Sequence, residues 1–171
     1  MPMRIPTAIV LSASLLVAGA ARAQQNPLDV VPEKMPFDIP YGAPISLDLA
    51  MKAAAAAADE AKKRGWKLHI AVVGPAGELK YFIGMDDAQL ASISISQHKA
   101  RVAATYRRET KALEMGVQGG FNYLLTLDGV IASRGGIPLI QGGKLIGAIG
   151  CSGGTGSQDE VACKAGAAIV K

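Results

Sequence analysis

The sequence predicts a single α+β domain in which helices pack on a central antiparallel sheet. Two pairs of strand-like segments are each joined by a short glycine-containing turn, and helical segments stand before, between and after these pairs. Strands joined by tight turns pair antiparallel, so the order helix, strand, strand, helix, strand, strand, helix indicates this class. The 171 residues are 50% hydrophobic and 19% charged, a composition that excludes disordered and collagen-like chains and supports one buried core.

The first 23 residues have the pattern of a secretory signal peptide. Arg4 precedes an apolar run at residues 5–20, and Ala21-Arg22-Ala23 supplies a cleavage sequence. A membrane anchor is the alternative, but a span needs about 20 apolar residues and this run is shorter. We therefore expect cleavage before Gln24, a mature chain without a membrane span, and a periplasmic or secreted location.

Residues 24–44 are predicted to form a proline-rich arm ahead of a domain at residues 45–171. Five prolines in this arm oppose a helix and favour extended or turn conformations. The arm is either loose or lies on a neighbouring subunit, using the apolar side chains of Met35, Phe37, Ile39 and Tyr41. With alanine-rich helices that bury little surface by themselves, this arm predicts a homo-oligomer that loss of residues 24–44 would weaken.

Three longer segments are predicted to be helices. Residues 46–64 begin at the N-cap residue Ser46. Residues 90–106 are ambiguous, because 92–96 alternate like a strand, but we predict a helix because 97–106 contain no Gly or Pro. The last helix is predicted to start at Ser157, with Glu160 completing a capping box. The buried stripe of the first helix is predicted to contain Leu47, Met51, Ala54, Ala58 and Ala61.

The predicted strands form two hairpins. Residues 66–73 and 78–84 flank a turn at 74–77, and residues 136–141 and 144–151 flank the favourable turn Gly142-Gly143. A short helix at 111–115 is predicted between the hairpins.

The charge distribution excludes a nucleic-acid-binding surface. Arginines of the first 23 residues carry half of the net charge of +4, and acids and bases are interspersed elsewhere. The one dense basic stretch is either a solvated helix face or an anion site suited to carboxylates or propionates. It comprises Lys99, Arg101, Arg107, Arg108 and Lys111.

The motifs assign no catalytic residue. Residues 150–154 match the nucleophile-elbow pattern around Ser152, but no histidine follows, so a hydrolase elbow is rejected. The glycine loop at 153–156 is either an anion cradle or a plain capping loop. An enzyme with a haem-degrading or isomerase-like activity stays open, because absence of a motif is weak evidence.

The sequence allows two interpretations of the histidines and two of the cysteines. His69 and His98 lack zinc-type spacing, so each is either a satisfied polar residue or an axial ligand to a haem iron. Cys151 and Cys163 stand twelve residues apart in a chain predicted to be exported, where they form either a disulfide or two buried thiols.

Taken in order, several segments resemble the haem-binding GlcG/HbpS family over residues 44–171. They are residues 44–50, 69–79, 85–88, 92–104, 135–140, 142–150, 152–154 and 158–160. The resemblance implies an α/β domain with a central antiparallel sheet, homo-oligomers and, in several members, binding of haem or iron. This chain departs from the family at Cys151, where an aliphatic residue is usual, and at Gly74, where an acid is common.

The resemblance also implies a set of ligand-binding residues. The family's basic helix matches Lys99 and Arg101, its threonine after that helix matches Thr110, and its glycine loop and acid match Gly153, Gly154 and Asp159. His98 is the metal-ligand candidate for a haem iron. An alternative for Lys99 is a fold-stabilising ion pair with Asp86 or Asp159.

We expect an exported, non-catalytic haem- or iron-binding protein. The alternative is an accessory subunit or small-acid-binding module of a periplasmic oxidoreductase system, with the proline-rich arm as the docking element.

Overall fold

In the computed structural model, which describes residues 30–171, four antiparallel strands form one sheet with α-helices on both faces. The predicted signal segment and the first residues of the predicted arm lie outside the described part. The elements are α1 Leu47–Lys63, β1 His69–Val73, β2 Leu79–Gly84, α2 Ser92–Thr105, α3 Thr110–Gln118, a 3-10 helix Asn122–Thr126, β3 Gly136–Gln141, β4 Lys144–Ser152 and α4 Gly156–Ala167. The predicted α+β class is confirmed.

The sheet has the strand order β2-β1-β4-β3, with every neighbouring pair antiparallel. Both predicted hairpins are present, and Gly142 and Gly143 take the positive φ angles that their tight turn requires. Alternate β1 residues face opposite sides, so Ile70 packs with α1 and α4 while Ala71 packs with α2.

The first helix buries alanines instead of its largest apolar residues. Ala50, Ala53 and Ala57 are buried, whereas Leu47 and Met51, which the sequence analysis placed inside, are half-exposed. The reason is the close approach of α4. A side-chain carbon at Gly166 would lie only 2.5 Å from the Ala53 carbonyl oxygen, so the α1–α4 contact has no room for large side chains.

The second helix lies directly on the backbone of the sheet. A side-chain carbon at Gly150 would lie 2.5 Å from the Ala100 nitrogen, and one at Gly136 would clash with the Lys99 carbonyl. Residues 92–96, whose alternation was ambiguous, are therefore helical and present Ser92 and Ser96 to the interior.

The last helix begins earlier than the sequence analysis predicted. Thr155, not Ser157, is the N-cap residue, because its Oγ1 accepts from the Gln158 N–H. The Gln158 side chain in turn accepts from the Thr155 N–H at 2.8 Å and completes the capping box. Glu160, assigned to that box from sequence, takes part in ion pairs instead.

The described end of the proline-rich arm lies along the start of β4 of the same chain. The Leu145 N–H donates to the Pro40 carbonyl at 2.9 Å, and the Gly42 N–H donates to the Leu145 carbonyl at 2.8 Å. Residues 40–42 thus extend the sheet beside the end of β1. The role of the arm in an oligomer stays a prediction.

Within residues 30–171, no helix has both the length and the apolar character that crossing a bilayer requires.

A disulfide joins the end of β4 to α4. Cys151 and Cys163 are both buried and bonded to each other, which confirms the disulfide alternative. The bond closes a loop of about twelve residues and constrains the segment that carries the N-terminus of α4.

We expect replacement of both Cys151 and Cys163 by alanine to lower the free energy of unfolding by about 3 kcal/mol, because the unfolded chain loses its cross-link. Urea unfolding of the oxidised protein and the variant measures the difference. A reductant should weaken the unchanged protein and leave the variant as it was. Mass spectrometry that finds two free, alkylatable thiols in the unfolded, unreduced protein would contradict this.

Candidate functional site

The predicted site residues fall on two sides of α2. Successive residues of an α-helix are about 100° apart, so His98 and Lys99 point in different directions. Lys99 is buried on the inner side of α2, whereas Arg101 is exposed and His98 is half-buried on the outer side. The structure thus divides one cluster of the sequence into an interior group and a surface group.

The interior group is built on an ion pair between α2 and α4. Lys99 Nζ lies 2.8 Å from Asp159 Oδ2, and the two side chains are 2% and 3% exposed. The other carboxylate oxygen, Oδ1, accepts from the Gly154 N–H at 3.1 Å. The ion-pair alternative for Lys99 is therefore confirmed with Asp159 as its partner.

Opposing effects act on the Asp159 carboxyl group. Burial raises the pKa of Asp159 above its ordinary value, since a charge is poorly solvated in the interior. The Lys99 ammonium and the N–H groups of Gly154 and Gly153 act in the opposite direction and lower that pKa. The carboxylate thus depends on Lys99 for much of its compensation.

Thr110 lies beside this pair and bonds to the backbone. Its buried Oγ1 accepts from the Gly136 N–H at 2.9 Å, so the hydroxyl joins the start of α3 to β3. A side-chain carbon at Gly136 would lie 2.7 Å from Thr110 Cγ2. In this geometry Thr110 is a packing and hydrogen-bonding residue, and its role beside haem stays a prediction.

The glycine loop before α4 has the geometry of a capping loop. The Gly154 and Thr155 N–H groups donate to side chains of the helix that follows, Asp159 and Gln158. The anion-cradle alternative for this loop has no support in the geometry, because these two donors already have partners.

Arg101, of the surface group, lines a depression on the outer side of α2, here called the outer groove. It has a volume of about 390 Å³ and is lined by Arg101, Thr105, Tyr106, Asp128 and Gly129. Tyr106 Oη donates to the Asp128 carbonyl at 2.6 Å, and His98 Nε2 lies 2.8 Å from the Gly129 carbonyl. The side chains of His98, within α2, and of Tyr106, at its C-terminal end, thereby hold the loop at residues 128–129, which forms the opposite wall of the groove.

The hydrogen bond of His98 assigns the roles of its two ring nitrogens. A carbonyl oxygen only accepts, so Nε2 carries the hydrogen in the neutral ring and Nδ1 has the lone pair. A metal ligand with its second nitrogen bonded to a carbonyl has a fixed ring orientation. Arg101, three residues further on, makes no ion pair with any residue of the described part.

Sequence reasoning missed part of this groove. Thr105 lies four residues after Arg101, so the helical spacing would have indicated it. Asp128 and Gly129 come from a distant loop, and no local pattern connects them to α2.

His69 belongs to neither group. It is 6% exposed and stacks on Phe82, with ring centroids 5.6 Å apart. Neither ring nitrogen has a hydrogen-bond partner within the described residues, so neither alternative for His69 is decided by a contact with the protein.

A larger cavity, of about 500 Å³, lies elsewhere, between α1 and the end of β2. Its rim carries Asp59, Lys62, Lys67, Asp86 and Asp87, and none of the predicted site residues lines it.

Comparisons with known proteins agree with this fold. A family model described as "Haem degrading protein HbpS-like" matches residues 45–168. Protein GlcG of Escherichia coli (strain K12) is 40% identical over 108 residues, which are 63% of this chain and 81% of GlcG.

Two solved structures have similar folds. A double mutant of Streptomyces reticuli HbpS superposes with a TM-score of 0.71 at 25% identity, covering 97% of this chain and 99% of that one. A complex of PduOC with heme superposes with a TM-score of 0.69 at 26% identity, covering 75% of this chain and 96% of PduOC.

We expect Lys99→Met to lower the free energy of unfolding by about 3 to 5 kcal/mol at neutral pH, because Asp159 stays buried without its counter-ion. The loss should shrink as the pH falls through the raised pKa of Asp159, since protonation removes the uncompensated charge. Urea unfolding over a range of pH values measures both effects.

The matched control is Lys67→Met, which removes an exposed ion pair with Asp87 and should change stability little. The double variant Lys99→Met/Asp159→Leu should be more stable than Lys99→Met alone, because no buried charge remains. Equal losses from Lys99→Met and Lys67→Met would contradict the importance of the buried pair.

Proposed function

This chain belongs to the HbpS-like family, and from that premise we propose that it binds haem in the outer groove. The observation that carries the proposal is a depression lined by Arg101, which has no ion-pair partner within residues 30–171, and by Gly129, whose carbonyl is held by the His98 imidazole at its edge. PduOC, a structural neighbour, has been crystallised with heme, which supports haem as the ligand.

The residues of the groove fit the chemistry of haem. Bound haem would supply an iron that takes an imidazole nitrogen as an axial ligand. His98 offers Nδ1 for this purpose, because Nε2 is bonded to the Gly129 carbonyl. Arg101 offers a guanidinium for a propionate carboxylate, and the Tyr106 ring offers an apolar surface.

The interior residues have a supporting role in this proposal. Lys99 and Asp159 hold α2 against α4, and Thr110 holds the start of α3, so these residues position the helix that presents His98 and Arg101. Gly153 and Gly154 act through the same interior group.

Export is part of the proposal. The signal-peptide pattern at residues 1–23 favours a periplasmic or secreted protein, and a buried disulfide is typical of oxidising compartments. We propose binding, in a homo-oligomer, as the function and assign no catalytic step.

The test is titration of the purified chain with hemin at micromolar concentration, followed by the Soret band. We expect a shifted Soret band in the unchanged protein and an altered band in His98→Ala. Arg101→Gln should raise the hemin Kd about fivefold, the effect of losing one exposed charge pair on the order of 1 kcal/mol.

Two control variants accompany the titration. Lys80→Gln removes an exposed cation outside the groove and should leave the Kd unchanged. His69→Gln removes the other histidine of the chain and should leave the spectrum unchanged. An absent Soret shift overturns the proposal, and a spectrum that depends on His69 instead of His98 overturns its assignment to the outer groove. Loss of the Soret band with a reductant would indicate turnover.

A further inference from the structure

A second depression follows the outer groove along α2. It is lined by Tyr41, Pro75, Ala76 and Thr105 and has a volume of about 270 Å³; we call it the Tyr41 hollow. Thr105 lines both depressions. Arg101 lies one helical turn before Thr105, and its Cγ would lie 2.6 Å from a side-chain carbon at Gly77, so its stem lies against the turn that carries Pro75 and Ala76. The two depressions therefore adjoin at Thr105.

The two depressions differ in chemical character. The outer groove is lined by two charged residues, Arg101 and Asp128. The Tyr41 hollow is lined by the Pro75 ring, the Ala76 methyl group and the Tyr41 ring, with Thr105 as the shared residue. A ligand that occupied both would meet charged residues in the outer groove and apolar residues in the hollow.

Tyr41 is held in place from several directions. Its Oη donates to the Thr105 carbonyl at 3.0 Å, and the Arg107 guanidinium lies 5.5 Å from the centre of its ring. Arg107 Nη1 also donates to the Ile39 carbonyl at 3.2 Å. The backbone on both sides of Tyr41 is bonded to Leu145. Tyr41 is nevertheless 49% exposed, so part of its ring is available to a ligand.

The backbone of Arg107 indicates that these contacts are strong enough to fix the local conformation. Arg107 has a φ of 53°, in the left-handed region that non-glycine residues rarely adopt. Such a conformation costs free energy and persists where the surroundings determine it. Here it directs the guanidinium to the arm, so the wall that carries Tyr41 is preformed.

We propose that the Tyr41 hollow is a second subsite of the haem site and that Tyr41 is the residue that recognises the apolar edge of the ligand. The inference rests on the proposed function for the identity of the ligand. A propionate of the porphyrin pairs with Arg101, and an edge that carries a vinyl group enters the adjoining hollow. The N-terminal arm therefore contributes directly to ligand specificity.

The test compares hemin with deuterohemin, in which hydrogen replaces both vinyl groups. The unchanged protein should bind hemin several-fold more tightly, because the vinyl groups bury apolar surface in the hollow. Tyr41→Ala should abolish most of this preference and speed hemin transfer to apomyoglobin about three- to tenfold, the effect of losing an aromatic contact of about 0.5–1.5 kcal/mol. Tyr41→Phe keeps the ring and should keep most of the preference.

The matched control is Tyr123→Ala, because Tyr123 is 50% exposed and does not line either depression. It should leave the preference for hemin unchanged. Hemin binding with the same preference in Tyr41→Ala as in the unchanged protein overturns the second subsite alone. No hemin binding by the unchanged protein overturns the proposed function, and the subsite with it.

Discussion

The buried ion pair between Lys99 and Asp159 sets the position of α2, on which the rest of the structure depends. Moving two charges from water into the interior costs several kcal/mol for each ion, and the direct hydrogen bond at 2.8 Å together with the Gly154 N–H offsets that cost. Gly135 is required beside the pair, because a side-chain carbon there would lie 2.8 Å from Asp159 Cβ. A displacement of α2 that separated the charges would leave both of them buried without compensation, so the pair opposes such a movement.

The surface chemistry of α2 follows from the packing of its inner face. Glycines at 136 and 150 let the helix rest on the strand backbone, which fixes its rotation as well as its distance from the sheet. With Lys99 directed inward, the helical repeat places His98 and Arg101 outward, next to the loop at residues 128–129. A structural residue and a candidate ligand are therefore neighbours in sequence but have different tasks.

Local patterns predicted the elements well, and errors arose where packing chooses between similar patterns. Ser46 and the Gly142-Gly143 turn were correctly predicted because cap and turn chemistry are local. The sequence before α4 offers two overlapping capping patterns, one that begins at Thr155 and one that begins at Ser157. The interior contact of Asp159 with Gly154 favours the earlier one. The stripe of α1 was wrong at Leu47 and Met51, since the close contact with α4 admits only small side chains, and hydrophobicity alone gives no information on that distance.

The candidate site was predictable only for the residues that α2 itself contributes. His98 and Arg101 were named from sequence, but the opposite wall comes from Asp128 and Gly129, and the Tyr41 hollow adds Tyr41, Pro75 and Ala76. These residues come from three separate segments that meet only because the sheet and the arm bring them to one helix face. Because the site depends on the position of α2, two kinds of variant are expected to differ. In the proposed site, changes at Lys99 or Asp159 would act first on stability and reach the ligand through the position of α2, whereas changes at Arg101 or Tyr41 would act on the ligand while the interior stays packed.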